Sequence, residues 1–333
     1  MSNEHAILFS VVIGTHNRAD LLELALQTLS EQTLASDKFE VLVIDNCSTD
    51  TTREVTEHYM SGGNVRYVYE DKIGIGHARN RGMNEARGVY VVYTDDDCKL
   101  PSDWLSRAAT IVETHQPDVF GGPFYPFYLS PKPDWFLDAY GGYTLGDEPR
   151  WLTVNERPLT GGNLFIEKNI LKSVGGFNTN FGMVGKKIGY SQDTIVQFYL
   201  YKKYPTLRVY YDPQLSVLHL VRPEKMNVVW GWKANIKLGR AAYRFSLYRD
   251  PPAIIAHWRF QFRQIRELIG FGWGAFWHSL RGFFFRDRTE HVYWKSFLYN
   301  HISDNYIFKI GIVLERMKIG NRPLSDDIPD YLK

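Results

Sequence analysis

Four short apolar runs alternate with helical patterns over the first 95 residues, and this alternation constrains the fold more than any other feature of the sequence. A short apolar run bounded by polar residues or glycine is typical of a buried strand, and leucines spaced three to four residues apart are typical of an amphipathic helix. Strands that alternate with helices favour a parallel, doubly wound sheet. The predicted strands are Phe9–Ile13, Phe39–Ile44, Val65–Tyr69 and Val89–Tyr93, and the predicted helices are Ala19–Gln32, about Thr51–Tyr59 and Gly74–Arg87.

Polar clusters follow three of these four runs. They are Thr15–Arg18 after the first run, Asp45–Asp50 after the second and Asp95–Asp97 after the fourth. Ligands of open α/β sheets bind beyond the carboxyl ends of the strands. We therefore predict that the three clusters contribute to one binding site.

The last of these clusters holds three consecutive carboxylates. Because neighbouring residues of a strand point to opposite faces, Asp95 and Asp97 can share a side. Clustered carboxylates repel one another unless a cation or hydrogen-bond donors neutralise them, and Mg²⁺ and Mn²⁺ prefer such oxygen ligands. The triplet predicts a divalent cation site, with a solvated turn or a helix cap as the alternative.

A glycine-rich segment, Gly74–Gly82, opens the third predicted helix. It does not match a dinucleotide-binding fingerprint, because Arg79 occupies the position of the third glycine and charged residues precede the segment. A helix N-terminus attracts anions, and Arg79 and Arg81 add positive charge. The segment is compatible with a phosphate-facing helix or with a surface helix that carries ordinary salt bridges.

Taken together, these segments resemble family 2 glycosyltransferases of the GT-A fold. The resemblance rests on the order and spacing of four motifs within the first 100 residues. It implies an α/β, GT-A fold with a Rossmann-like, mostly parallel central sheet. It also implies transfer of a sugar from a nucleotide diphosphate to an acceptor hydroxyl, with inversion at the anomeric carbon. The four motifs are Val12–Arg18, Val43–Asp50, Ala78–Gly82 and Thr94–Asp97.

The resemblance further implies a nucleotide-sugar site, with UDP as the expected nucleotide. In such a site Asp45 pairs with the base, Asp95 approaches the ribose, and Asp97 holds Mn²⁺ or Mg²⁺. His219, after the apolar run Leu215–Leu218, is implied as a further metal ligand, and a structural role is the alternative for a lone histidine. The implied nucleotide-sugar-binding residues are Thr15, Asn17, Arg18, Asp45, Arg79, Asp95 and Asp96.

A general base is implied as well. Family members carry an aspartate in a Glu-Asp pair after a Gly-Gly-Phe segment, and here Gly175–Phe177 is followed by Gln192 and Asp193. Asp193 is therefore the expected base for the acceptor hydroxyl. Gln192 removes a like charge beside Asp193, so we expect the weaker base. The alternative for Asp193 is an ordinary residue at a helix N-terminus.

The composition indicates the compartment. Two cysteines in 333 residues exclude a disulfide scaffold and fit a reducing environment. We interpret Cys47 and Cys98 as small, buried packing residues. The N-terminal residues lack the pattern of a secretory signal, and no run of about 18 apolar residues occurs. We therefore expect a cytoplasmic protein.

Charge and aromatic residues are distributed unevenly, which predicts two regions. Residues 221–333 hold 19 Lys and Arg against 10 Asp and Glu and contain six of the nine tryptophans, whereas residues 1–220 are acidic by seven charges. We expect a GT-A catalytic domain over 1–222, with a nucleotide-sugar half over about 1–100 and an acceptor half over about 101–222. A basic, aromatic-rich and mainly helical region is expected over 223–333.

One stretch of the basic region, Leu268–Leu280, carries no Asp, Glu, Lys or Arg, although arginines flank it. It is too short to span a membrane but suits an interfacial helix or a helical hairpin bent at Gly270, Gly272 and Gly274. It predicts peripheral contact with the inner face of the cytoplasmic membrane, with a packed subdomain or a homodimer interface as the alternatives. Nucleic acid is not expected as a partner, because the arginines alternate with bulky apolar residues.

These observations predict an inverting, metal-dependent glycosyltransferase whose acceptor is a glycan or a lipid-linked sugar. Two alternatives remain open. A GT-A-like module could bind a nucleotide sugar without turnover, since Gln192 departs from the family pattern. A nucleotidyltransferase on a related fold would release pyrophosphate instead of a nucleotide diphosphate.

Overall fold

The computed structural model describes residues 7–183, 189, 192–249, 257–284 and 293–319. These residues form two compact units. The first unit contains residues 7–127, 141–183 and 192–220, and the second contains residues 128–140, 189 and the described residues from 221 onward. Every candidate site residue of the sequence analysis lies in the first unit.

The first unit is built on the alternation that the sequence predicts. The strands β1 (Phe9–Thr15) and β2 (Phe39–Asp45) are buried along almost their whole length, which explains why most of their residues are apolar. The predicted strands and helices of this part are confirmed, with ends that differ by one or two residues. They are β1 (Phe9–Thr15), α1 (Ala19–Ser30), β2 (Phe39–Asp45), α2 (Thr52–Tyr59), β3 (Val65–Tyr69), α3 (Ile75–Glu85) and β4 (Tyr90–Asp95).

The remaining elements of this unit extend the sheet, and most of them lack a clear sequence period. Two of the short strands coincide with largely apolar runs of the sequence, at 207–211 and 215–220. The elements are β5 (Cys98–Lys99), α4 (Trp104–His115), β6 (Val119–Gly121), β7 (Phe124–Phe127), β8 (Arg150–Leu152), β9 (Leu164–Glu167), α5 (Lys168–Ser173), α6 (Gln192–Lys203), β10 (Val209–Tyr211) and β11 (Val217–Leu220).

The central sheet has eight strands in the order β3-β2-β1-β4-β9-β6-β10-β8, and a smaller sheet has the order β5-β11-β7. In the central sheet β1, β2, β3 and β4 run parallel, as do β6 and β10. Strand β9 lies antiparallel between β4 and β6. The prediction of a mostly parallel central sheet is confirmed.

The core of this unit packs against the sheet and also holds the loop that precedes β9. Leu22 and Leu26 of α1 and Trp104 of α4 are almost completely buried, and burial of such side chains contributes about 1.5–3 kcal/mol each. The ring of Trp104 packs against that of Phe165 with 5.1 Å between centroids. Its indole N–H donates to Asn163 Oδ1 at 3.1 Å. The core therefore anchors the chain immediately before β9.

The two cysteines occupy different environments. Cys98 is buried in the core, as predicted. Cys47 is half-buried, and its thiol lies 3.3 Å from the carbonyl oxygen of Glu70. The prediction of a buried packing residue is wrong for Cys47, because this residue belongs to the polar loop after β2 rather than to the strand.

The second unit is helical, which confirms the prediction of a helical C-terminal part. The helices α7 (Val228–Arg249) and α10 (Phe308–Ile319) pack closely, because Gly239 and Gly311 let the backbones of the two helices approach each other. The buried carboxylate of Glu315 accepts from Arg244 Nε at 2.6 Å. The elements are α7 (Val228–Arg249), α8 (His257–Phe284), α9 (Tyr293–Phe297), a π-helix (Leu298–Ile307) and α10 (Phe308–Ile319).

The glycine-rich stretch of this unit lies within a single helix. Residues 257–284 form one continuous helix, α8, so of the two forms expected for this stretch the helical hairpin is wrong. An isolated glycine lowers helix propensity by about 1 kcal/mol but keeps its backbone hydrogen bonds. Gly274 packs against the ring of Tyr306, where a larger side chain would not fit. No helix among the described residues is both long enough and apolar enough to cross a bilayer.

Candidate active site

The carboxyl ends of β1, β2 and β4 meet at one edge of the sheet. Thr15 at the end of β1 pairs in register with Asp45 of β2, and Gly14 pairs with Asp95 of β4. Strand β1 lies between β2 and β4 in the sheet order, so this edge is the topological switch point at which ligands of such sheets bind. The structure therefore brings the three predicted polar clusters together.

The middle carboxylate of the triplet points into the protein. Asp96 is 2% exposed, and its two oxygens accept hydrogen bonds from Thr15 Oγ1 and Arg18 Nη1, both at 2.8 Å. Burial raises the pKa of Asp96 to about 6, against the lowering effect of the Arg18 guanidinium. Asp96 thus holds Thr15 and Arg18, two of the predicted nucleotide-sugar-binding residues, in fixed positions.

The loop after β2 is tied to the loop after β1. Asp45 accepts hydrogen bonds from the Ser48 backbone N–H at 2.8 Å and from the Tyr67 hydroxyl at 2.7 Å. Asn17 Oδ1 accepts from the Thr49 backbone N–H at 2.7 Å. Asn17 itself has a φ of 52°, a left-handed conformation that asparagine tolerates better than most residues. The side chains expected at the nucleotide base therefore stand on a pre-formed pair of loops.

Asp95 and Asp97 face a common space with Cys98. One ligand atom from each of the three residues lies within 4.8 Å of the others, and His219 Nε2 lies 3.3 Å from Asp97 Oδ1. His219 reaches this position because β11 pairs antiparallel with β5, which sets His219 opposite Cys98. The two residues implied as metal ligands, Asp97 and His219, are thus neighbours in the structure.

The chemistry of this group fits a hard divalent cation. Carboxylate oxygens are the ligands that Mg²⁺ and Mn²⁺ prefer, and a neutral imidazole is a common metal ligand. Burial raises the pKa of the Cys98 thiol well above its usual range, so this thiol stays protonated and is a poor ligand for such a cation. Asp95, Asp97 and His219 are the residues here that could hold the metal.

Arg79 of α3 joins this carboxylate group to the expected base. Its Nη1 lies 2.6 Å from Asp193 Oδ1, and its Nη2 lies 3.7 Å from Asp95 Oδ1. The guanidinium stands over the rings of Phe177 and Tyr93, 5.2 and 6.0 Å from their centroids. Burial disfavours the charged form, but the two carboxylates outweigh this effect and raise the pKa of Arg79. Arg79 and Asp193, which the resemblance implies from separate motifs, are in direct contact.

The second arginine of the same helix has an ordinary surface role. Arg81 is exposed and pairs with Glu85 at 3.1 Å, one helical turn further on. Exposed pairs of this kind contribute little to stability. The sequence allowed either a surface helix with salt bridges or a helix that faces the site. Arg81 fits the first hypothesis, because it forms a surface salt bridge. Arg79 fits the second, because it is turned towards the site.

Asp193 lies in the first turn of α6, and a glycine-rich loop contacts it. Its Oδ2 accepts a hydrogen bond from the Gly161 backbone N–H at 2.9 Å. A Cβ on Gly161 would lie 2.3 Å from Arg79 Nη2 and 2.6 Å from Asp193 Oδ1, and a Cβ on Gly162 would lie 3.0 Å from Asp95 Oδ2. The absence of side chains at these two positions makes room for the ion pair and for the carboxylate of Asp95.

The residues that form this site lie largely within a stretch that matches a known protein family. The sequence model for glycosyl transferase family 2 matches residues 10–177, which is half of the chain. The chain belongs to glycosyl transferase family 2. The matched residues include β1 to β4 and the Gly161–Gly162 loop, but they end before α6 and Asp193.

Related sequences support this membership over part of their length. This family 2 chain is 28% identical over 170 residues to the glycosyltransferase AglE of Haloferax volcanii, an alignment that covers 50% of this chain and 55% of AglE. It is 42% identical over 96 residues to validoxylamine A glucosyltransferase of Streptomyces hygroscopicus, which covers 28% of this chain and 23% of that protein. The chain therefore matches about half of the first relative and less than a quarter of the second.

Solved structures of low sequence identity share the fold. The mannosyltransferase PcManGT of Pyrobaculum calidifontis, in complex with GDP-Man and Mn²⁺, aligns over 97% of this chain and 79% of its own, with a TM-score of 0.56 and 18% identity. Staphylococcus aureus TarS 1-349 in complex with UDP-GlcNAc aligns over 95% and 93% of the two chains, with a TM-score of 0.53 and 18% identity. The predicted GT-A fold of this family 2 chain is confirmed.

In this family 2 chain the residue before the expected base has its own role. Gln192 is 3% exposed, and its Nε2 donates to the carbonyl oxygens of Phe181 at 2.6 Å and Asn178 at 3.2 Å. A glutamate there would place carboxylate oxygens against carbonyl oxygens. The glutamine therefore suits the loop that follows Phe177, and this local contact accounts for the departure from the acidic residue that the resemblance leads one to expect.

Sequence reasoning did not assign a function to several residues that shape this site. Tyr93 and Phe177 enclose Arg79, and Asn80 exchanges two hydrogen bonds with the backbone of Phe177. Gly161 donates to Asp193 from a loop without periodicity. The signal that could have found this loop is the adjacent pair of glycines in front of the apolar run of β9.

Proposed function

We propose that the protein is an inverting glycosyltransferase that moves a sugar from UDP to an acceptor hydroxyl. The observation that carries the proposal is the continuous set of contacts from Asp95 through Arg79 to Asp193. In this arrangement the residue expected at the ribose and the residue expected at the acceptor belong to one pocket. A bond between donor and acceptor can form only where both are held at van der Waals distance.

The donor is assigned to the edge formed by β1, β2 and β4. Asp45 would pair with the base, and Asp95 would accept from the ribose. Thr15 and Arg18, both oriented by Asp96, would contact the nucleotide together with Asn17 and Arg79. The solved relatives named above bind UDP-GlcNAc and GDP-Man, which is compatible with a nucleotide sugar at this edge.

A divalent metal, Mn²⁺ or Mg²⁺, is assigned to Asp95, Asp97 and His219. When bound there, such a cation supplies positive charge that stabilises the departing nucleotide diphosphate. The chain contributes the ligands and the buried setting that keeps Asp97 and His219 in contact.

Asp193 is assigned the role of general base. It would take the proton of the acceptor hydroxyl as that oxygen attacks the anomeric carbon on the face opposite the departing nucleotide. The Arg79 guanidinium and the Gly161 N–H bind one oxygen each and fix the orientation of the carboxylate. A positioned base of this kind contributes about 10²–10⁴-fold to the rate.

The acceptor is proposed to be a glycan or a lipid-linked sugar, in polysaccharide or glycolipid assembly at the cytoplasmic side of a membrane. We assign a function to each part of the chain as the sequence analysis expects. Residues of about 1–100 would bind the nucleotide sugar, those of about 101–222 the acceptor, and the helical region from 223 onward would serve attachment or assembly, including a homodimer.

The decisive experiment measures UDP release from a panel of UDP-sugars in the presence of Mn²⁺ and candidate acceptors. We expect Asp193→Asn to lower turnover at least about 10²-fold while binding of UDP, measured by calorimetry, is retained. NMR of the product should give an inverted anomeric configuration. Binding without release of UDP would identify a non-catalytic module, and release of pyrophosphate would identify a nucleotidyltransferase; either result overturns the proposal.

A further inference from the structure

One side of α8 packs within the second unit. Gln264 on this side is completely buried and accepts from Arg316 of α10. Arg316 also donates to Glu267 at 3.0 Å. Gly274, further along the helix, packs against Tyr306 of the π-helix. These contacts settle which side of α8 is turned inward.

The opposite side of α8 is apolar and exposed. Six large apolar side chains of this helix are between 45% and 66% exposed. At about 100° per residue, all six fall within an arc of roughly 120° around the helix axis. Trp273, Phe276 and Trp277 contact one another through their rings. The six are Ile265, Ile269, Trp273, Phe276, Trp277 and Phe283.

The charges on this exposed side have one sign. Arg263, Arg266 and Arg281 are exposed, and no acidic side chain is exposed among the described side chains of α8. Glu267 is half-buried and paired with Arg316 at 3.0 Å and with Arg263 at 3.6 Å, so in the described part of the helix Arg266 and Arg281 carry the unopposed charge of this side. At the same helical spacing Arg266 falls inside the apolar arc, and Arg263 and Arg281 fall beside it towards the two ends. The surface is therefore an aromatic strip between arginines.

We infer that this strip, residues 263–283 of α8, docks onto an anionic lipid surface with the helix lying in the plane of the membrane. Interfacial helices insert an apolar face to the depth of the headgroups and keep basic side chains at the phosphates. Tryptophan suits this boundary, because its ring is apolar and its N–H is polar. The apolar arc occupies only part of the helix circumference, as an in-plane helix requires.

A second copy of the chain fits this surface less well. A symmetric dimer through the strip would bring the arginines of one copy against the same face of the other copy. That face offers no exposed carboxylate among its described side chains to pair with them. An anionic lipid surface supplies the complementary charge and also accepts the aromatic side chains.

The proposal is tested by sedimentation with phosphatidylcholine vesicles that do or do not contain phosphatidylglycerol, at low and at high NaCl. Binding should require phosphatidylglycerol and weaken with salt. Each arginine removed should weaken binding roughly fivefold, so Arg266→Gln/Arg281→Gln should lose about 25-fold. The matched control is Arg107→Gln/Lys172→Gln, which removes the same charge from exposed positions of the first unit and should bind as the parent protein does.

A second variant, Trp273→Gln, separates insertion from simple charge attraction. Trp273 is 62% exposed, so its replacement should leave thermal unfolding unchanged while it reduces vesicle binding at high salt. Absence of binding to phosphatidylglycerol at low salt would overturn the proposal, as would equal losses in the arginine variant and its control. A dimer that Trp273→Gln dissociates, without vesicle binding, would identify a second copy as the occupant. None of these measurements requires sugar transfer, so their outcome is independent of the proposed function.

Discussion

Arginine side chains are used in opposite ways in the candidate site of the first unit and on the exposed side of α8 in the second unit. In the first unit Arg79 is 8% exposed and lies against Asp193 and Asp95, and Arg18 lies against Asp96. On α8 of the second unit Arg266 and Arg281 are exposed, beside an aromatic strip. The same residue type thus fixes a geometry in one region and provides a diffuse charge in the other.

The difference has a physical cause. Removing a charge from water costs several kcal/mol, and a buried ion pair recovers this cost only when its geometry is good. Each buried arginine of the site therefore depends on its exact partners, and a small change should have a large effect. An exposed charge keeps its water, acts over about 10 Å and tolerates substitution by another cation.

The largest effect should follow from loss of the proposed metal ligand in the buried network. Asp97→Asn removes a carboxylate from the group of Asp95, Asp97 and His219, and we expect turnover to fall by about 10³-fold. Mn²⁺ binding followed by electron paramagnetic resonance should weaken in parallel. Asp103→Asn, which changes an exposed carboxylate of the same unit, is the control. Full activity of the parent protein in excess EDTA would contradict the assignment.

A smaller but more specific effect should follow from Arg79→Lys. Lysine keeps the charge, but a single ammonium cannot reproduce the fork that reaches both Asp193 and Asp95. We expect kcat to fall about 10–10²-fold with Mn²⁺ present. On α8 the matching change, Arg266→Lys, should keep vesicle binding within about twofold, because a lipid surface responds mainly to charge. Equal tolerance of lysine at both positions would remove the contrast between the two units.

The space around the ion pair gives a third test. Gly161→Ala would place a Cβ 2.3 Å from Arg79 Nη2, so the pair must shift, and we expect about a tenfold loss of kcat with about 1–3 kcal/mol lower stability. The control is Gly62→Ala, where the nearest atom to the new Cβ is 3.6 Å away. Parent-like kinetics in the Gly161 variant would mean that the pair is not needed for turnover.

The smallest of these effects should be one on stability. Gln192→Glu replaces a buried amide donor by a carboxylate that faces the carbonyl oxygens of Phe181 and Asn178. We expect a loss of about 1–3 kcal/mol in the free energy of unfolding, seen as a lower Tm by calorimetry. Gln27→Glu, on the exposed side of α1, should leave Tm nearly unchanged. A Tm that rises in the Gln192 variant would show that the glutamine is no adaptation to this loop.

Local sequence patterns determined the first half of the first unit. The apolar runs at Phe9, Phe39 and Val89 predict strands, because a buried parallel strand needs apolar side chains on both faces. The run at Val65 predicts the edge strand β3, which is only half-buried. Once these strands are parallel, their carboxyl ends meet at one edge, so the sequence alone places Thr15, Asp45 and Asp95 together. The residue motifs in this stretch also suffice to identify the family.

Only the tertiary structure decided which polar groups touch. Arg79 and Asp193 are 114 residues apart in the chain, and His219 approaches Asp97 through a short strand pair. The loop at Gly161 contacts the ion pair of Arg79 and Asp193. Its sequence shows no hydrophobic periodicity from which its position could be predicted. Likewise, periodicity marks an apolar face on α8 but does not say whether that face is covered. Helix and strand patterns reflect the local backbone geometry, which turns every third or fourth side chain of a helix and every second side chain of a strand to the same face. Contacts between distant loops depend instead on how the finished elements pack.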